Sequence, residues 1–90
     1  MEKQIVVMDA SIARLNARTP LDAGIYFAGF EDDKEVWGSH RRETAKKYNT
    51  VQDAVNDARR LKVLYPEHLQ PKVYEITING NAFTLNDVRY

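Results

Sequence analysis

Apolar residues recur at spacings of three and four across one segment: Val51, Ala54, Val55, Ala58, Leu61 and Tyr65. Wound into a helix they form a single stripe. Thr50 stands before them as an N-cap whose hydroxyl can accept from the Asp53 amide. Asp53 itself puts negative charge in the first turn, where the macrodipole favours it. Pro66 ends the helix, because the residue before a proline is pushed out of the α region. The spacing predicts a helix from about Val51 to Tyr65.

Elsewhere the pattern is that of strands. Lys3 to Met8 carries Ile5, Val6 and Val7, a β-branched run that predicts a buried strand. Residues 9–19 satisfy two patterns, a continued strand or a short helix capped by Asp9 or Ser11, and Ile12 and Leu15 favour the helix. Pro20, Asp22 and Gly24 mark a loop. Gly24 to Phe30 is apolar on both faces, with Ile25 and Phe27 expected on one side and Tyr26 and Phe30 on the other. Glu31 to Lys34 is a hairpin break, and Glu35 to His40 is the partner strand. Gly38 marks a bulge or a close contact. Arg41 to Lys47 either extends that strand or connects it to the helix. Lys72 to Ile78 sets Tyr74, Ile76 and Ile78 on one face. Asn79-Gly80 follows as a type I′ turn, which would pair Ile78 with Asn81, Ile76 with Phe83 and Tyr74 with Leu85. The predicted architecture is α+β in one domain. An antiparallel sheet of four to five strands packs against one main helix, with a short second helix near 11–18.

Composition narrows the function. A chain of 90 residues, 43% of them apolar, supports one small core, and at this size only about 60–65% of the unfolded surface is buried. Cysteine is absent, which excludes disulfides, zinc thiolates and thiol catalysis. The apolar run after Met1 is too short for a signal peptide, and no run is long enough to span a membrane, so the expected location is cytoplasmic. Thirteen basic and thirteen acidic residues cancel, which argues against a sequence-blind nucleic-acid binder. The charges are nonetheless segregated. Glu31, Asp32, Asp33 and Glu35 surround Lys34, whereas His40 to Lys62 holds seven Lys or Arg against three acidic residues. Such a bipolar surface can orient a partner.

Catalytic and cofactor motifs are missing. His40 and His68 belong to no metal-binding spacing, and Ser39-His40 are sequence neighbours, which is not the geometry of a nucleophile and its base. EDDKE lacks the ligand order of a calcium loop. No glycine pattern cradles a phosphate. The remaining signal is aromatic and basic: Tyr26, Phe27, Phe30, Trp37 and Tyr48 lie close in sequence to Arg41, Arg42, Lys46 and Lys47. The first hairpin holds more aromatics than one small core needs.

The segment RRETAKKYNTVQDAVNDARRLK, with Tyr48, the Thr50 cap, and Ala54 and Ala58 down the helix, resembles a segment found in small phage and prophage proteins. These pair a short sheet with one helix. Some proteins of this kind inhibit host defence, among them anti-CRISPR proteins that occlude a surface of a larger complex without catalysis. The resemblance implies a role of that type and assigns no residue. The expectation is therefore a non-enzymatic protein-binding module with no cofactor and no metal. Trp37, Tyr26, Arg41 and Arg42 are its expected contacts, and Glu31, Asp32 and Asp33 a second, charged patch. Two alternatives remain. One is a nucleic-acid module using Arg41, Arg42, Lys46, Lys47, Arg59, Arg60 and Lys62. The other is a small enzyme or ligand-binding homodimer, which a concave pocket holding His40 or His68 beside a carboxylate would favour.

Overall fold

A computed structural model describes residues 2–12 and 14–90. Five strands, β1 (Glu2–Asp9), β2 (Ile25–Glu31), β3 (Lys34–Trp37), β4 (Pro71–Asn79) and β5 (Ala82–Val88), form one antiparallel sheet in the order β3-β2-β1-β4-β5. One helix, α1 (Val51–Leu64), packs on one face. The fold is α+β, as the pattern predicts.

Helix α1 forms where its signals lie. The Thr50 hydroxyl accepts from the Asp53 amide at 3.1 Å, and Ala54, Val55, Ala58 and Leu61 are buried. They meet Ile5, Val7, Phe27, Tyr48 and Val73 in the larger core cluster. The opposite face is apolar too. Val6, Met8, Tyr26, Tyr74 and Ile76 form a second cluster with Ala45, and Leu21, Ile78 and Leu85 flank it. Among the described residues no second α-helix covers that face. Leu21 and Ala45, from the loops that carry 3-10 turns at Pro20–Asp22 and Arg42–Thr44, pack over it instead. The short helix expected near 11–18 is absent among the described residues. There Asp9 accepts from Ser11 and Gln70, which turns the chain out of β1 rather than into a helix. Ile12 and Leu15 are exposed.

Both hairpins form, and both differ in detail from the sequence reading. The β2–β3 turn is the two-residue Asp32-Asp33, with φ of 50° and 63°. Positive φ at both central positions is the type I′ pattern. Strand β3 ends at Trp37 rather than His40, although Gly38 and Ser39 still bond to Tyr26. The β4–β5 turn is Gly80-Asn81, not Asn79-Gly80. Only Gly80 has positive φ, at 63°, which is the type II′ pattern. The pairs are therefore Ile78↔Phe83, Ile76↔Leu85 and Tyr74↔Asp87. This register keeps the apolar faces aligned, adds Val73↔Val88 on the helix side, and brings Lys72 to within 3.5 Å of Asp87.

A bulge falls between Phe27 and Gly29, where Gly29 takes φ of 120°. The extra residue reverses the alternation. Phe30 consequently lies on the helix side with Phe27, not with Tyr26 as strict alternation requires. Gly38 serves the other purpose expected of it, a close approach. A Cβ there would sit 2.7 Å from Thr44 Cβ and 2.9 Å from its carbonyl oxygen.

Strands β1 and β2 touch only at Met8↔Tyr26 and Asp9↔Ile25. The gap that opens beyond is filled by residues 45–48. The Lys46 amide donates to Phe27 O at 3.0 Å and the Tyr48 amide to Ile5 O at 2.9 Å. Tyr48 then donates its hydroxyl to Asp57 of α1 at 2.6 Å, which ties the wedge to the helix.

Candidate protein-binding surface

The end of α1 lies beside β3. Trp37 packs edge-on against Phe27, with centroids 5.3 Å apart, and Phe30 does so from the other side at 4.9 Å. The Arg60 guanidinium stacks 3.9 Å over the Phe30 ring and reaches Asp33 at 3.2 Å. The ion pair is exposed and contributes at most about 1 kcal/mol, so it orients the hairpin tip more than it stabilises it.

Pro66 has a local effect that fixes the site. It forces Tyr65 out of helical geometry, to φ −136° and ψ 66°. Tyr65 thereby leaves the buried stripe, and its hydroxyl donates to Glu35 Oε1 on β3. That bond holds the Tyr65 phenol above its ordinary pKa and the Glu35 carboxyl below its own. Glu35, Trp37, Tyr65, His68 and Leu69 line an open cleft of about 480 Å³. Tyr65 is 37% exposed there, and at the same helix end Leu64 is 48% and Val63 79% exposed. Across the helix end, Val63, Pro66 and Tyr90 line a second open groove with Arg59 and Lys62. The helix end thus carries exposed apolar residues beside both openings, Tyr65 with Trp37 in the cleft and Val63 with Tyr90 in the groove, more than the single exposed residues normal on a surface.

The residues expected to act together are dispersed. Trp37 is half-buried on the helix side. Tyr26 lies beneath the opposite face with no exposed area, its hydroxyl donating to Leu21 O and its phenol pushed up to about 12 by burial. It offers a partner nothing, which corrects its assignment as a contact. Arg42 also lies on that opposite face, stacked 4.7 Å over Phe83, with exposed Arg41 preceding it. Glu31, Asp32 and Asp33 are at the hairpin tip, near Arg60 and on the same side of the molecule as Trp37.

The basic stretch divides as well. Lys47 donates to Arg42 O and Ala45 O at 2.7 and 2.9 Å, and desolvation lowers its pKa. Lys62 donates to Pro66 O and Leu69 O at 2.8 and 3.0 Å. Lys46 approaches Asp57 at 3.7 Å, and Arg59 lies 5.9 Å over the Tyr90 ring. These cations are spread over two faces and several are engaged internally.

His68 and Glu35 line the same cleft, the arrangement named above as favouring a ligand site. His40 is elsewhere, half-buried after β3. Among the described residues no three His, Cys, Asp or Glu side chains converge as metal ligands, and no helix is long and apolar enough to cross a membrane.

Sequence reasoning missed Val63, Leu64, Tyr65 and Tyr90. One signal was present: Val63 and Leu64 fall off the buried stripe, on a face that is otherwise polar.

The fold and this patch define a small helix-on-sheet protein with a solvent-facing apolar surface at one helix end. The chain matches no protein-family model, no curated protein and no solved structure.

Proposed function

We propose that this chain is a non-enzymatic protein-binding module that covers part of the surface of a larger partner. The observation that carries the reading is the cleft shared by Trp37 and half-exposed Tyr65, with exposed Val63 and Leu64 at the same helix end. Its composition is that of an interface core, with aromatic and aliphatic anchors inside a polar rim of Glu35, Asp33, Arg60 and Lys62. The resemblance of residues 41–62 to small phage proteins supports a mobile-element origin and a host-defence complex, of the kind anti-CRISPR proteins occlude, as the partner.

A capture experiment from host lysate, with and without nuclease, tests the reading. The expected result is a protein complex that survives nuclease and is lost with Trp37→Ala/Tyr65→Ala, while circular dichroism shows that variant folded. Truncating two central anchors costs about 2 kcal/mol or more each, which is at least tenfold in affinity per residue. Retention by the folded double variant overturns the site. Recovery that vanishes with nuclease instead favours nucleic acid and the basic stretch.

The cleft supports a second reading, a small ligand held between Trp37 and His68. Its test is a fragment screen monitored at the Trp37 indole and His68 ring resonances. Shifts confined to those two signals support it, and an unresponsive cleft removes it.

A further inference from the structure

The two edges of the sheet are unlike. Strand β3 is short, carries Lys34 and Glu35, and adjoins a bulge. These are the devices that keep a sheet edge from pairing. Strand β5 is neither short nor bulged, and its one charged residue is Asp87. It is seven residues long with unbroken register, and the sequence AFTLNDV holds no lysine, arginine or proline.

The turn tells which amides β5 leaves free. A two-residue turn closes on a hydrogen-bonded pair, here Asn79↔Ala82. Alternation along an antiparallel ladder then aims the backbone groups of Phe83, Leu85 and Asp87 away from β4. We propose that this edge pairs with β5 of a second copy, antiparallel and centred on Leu85, to form a continuous ten-strand sheet about a two-fold axis.

The register is chosen by charge and shape. Centring on Leu85 sets Leu85 against its own mate and Phe83 opposite Asp87 of the second copy. Arg42 already lies 4.7 Å over the Phe83 ring. Its guanidinium thus meets a carboxylate from the other copy, and symmetry makes the contact twice. Asp87 has Lys72 at 3.5 Å within its own chain, so the pairing adds a second cation to a carboxylate that is half exposed. Leu85 flanks the second core cluster and Phe83 on the same face is 51% exposed, so pairing covers apolar surface that each copy alone leaves in water. An interface of this kind is isologous and closes on itself, so growth stops at two copies.

The test joins sedimentation equilibrium to amide exchange on the wild-type chain. The expected result is a dimer whose Phe83, Leu85 and Asp87 amides gain protection as concentration rises, while Asn81 does not. Asp87→Pro removes one outward amide and leaves the β4 ladder intact, so it should weaken association more than about a hundredfold. Asp87→Arg and Arg42→Glu should each weaken it about tenfold, and the double swap should recover most of that loss. A monomer at several hundred micromolar overturns the proposal. So does a dimer in which those three amides stay unprotected, or one lost with Trp37→Ala but not with Asp87→Pro, since either would put the contact elsewhere. The exchange measurement needs no variant, so a substitution that unfolds the chain leaves the test standing.

Discussion

The five tyrosines show how single residues report on the fold. Tyr26, Tyr48 and Tyr74 are buried, and burial is the main cause that raises their phenol pKa values. Tyr90 is raised for the same reason, and Tyr65 chiefly by its bond to Glu35. A raised phenol pKa means that the folded chain holds its protons more tightly than the unfolded one. The stabilisation is complete below pH 10, where the unfolded phenols begin to ionise. It is lost as pH rises from there toward the folded value, about 12 for Tyr26. Tyrosinate absorbance should therefore stay low near pH 10 and then rise together with the loss of helix signal. A smooth titration centred at pH 10, with the fold intact, would contradict these environments. Gly38 is a second residue-scale case. Gly38→Ala should destabilise by about 1–3 kcal/mol in urea melts, because the added methyl meets the Thr44 backbone and not only its side chain.

At the scale of elements, what could be read in the sequence was what is specified locally. Helix α1 was legible because its cap, stripe and stop all lie within its own segment. The existence of both hairpins was legible for the same reason. Their details were not. Asn79-Gly80 sets Phe83 and Leu85 opposite Ile76 and Tyr74, and Gly80-Asn81 sets them opposite Ile78 and Ile76, so face matching alone does not choose between them. Cross-strand pairs such as Val73↔Val88 on the core side and the half-exposed Lys72 with Asp87 separate them, and they lie at the far end of the ladder from the turn. The bulge at Gly29 was equally silent, and it decides which side Phe30 takes. The burial of Tyr26 depends on how the Pro20–Asp22 turn folds back over it and on Ala45 from a loop further along the chain. The contact surface shares this limit, because Tyr65 reaches Glu35 only once β3 lies along the helix. The type I′ turn offers a prediction of opposite sign to most. Asp32 and Asp33 both hold positive φ, which side chains resist. Asp32→Asn/Asp33→Gly should raise stability by roughly 1 kcal/mol even though it gives up the exposed pair with Arg60. Unchanged or lowered stability in urea would mean that Arg60 holds the hairpin tip more strongly than its exposure implies.

For the whole molecule, the order of strands in space differs from their order in the chain. Strand β1 lies at the centre, between β2 and β4, and its long ladder is with β4, from Asp9↔Pro71 to Glu2↔Ile78. Its contact with β2 is only two residue pairs wide. Helix α1 and the two hairpins can form from near neighbours in microseconds, but β1 has to wait for a mate most of the chain away. Closing that ladder is the entropically costly step, and folding should take milliseconds or longer. Val73→Ala, on the β4 side of the ladder, should then slow refolding in stopped flow, while Thr50→Ala should act mainly by speeding unfolding. During synthesis, Ile5, Val6, Val7 and Met8 emerge as an unpaired apolar ribbon and stay so until β4 has left the ribosome. While β4 is still unmade, the domain is thus most exposed to chaperones and proteases through β1.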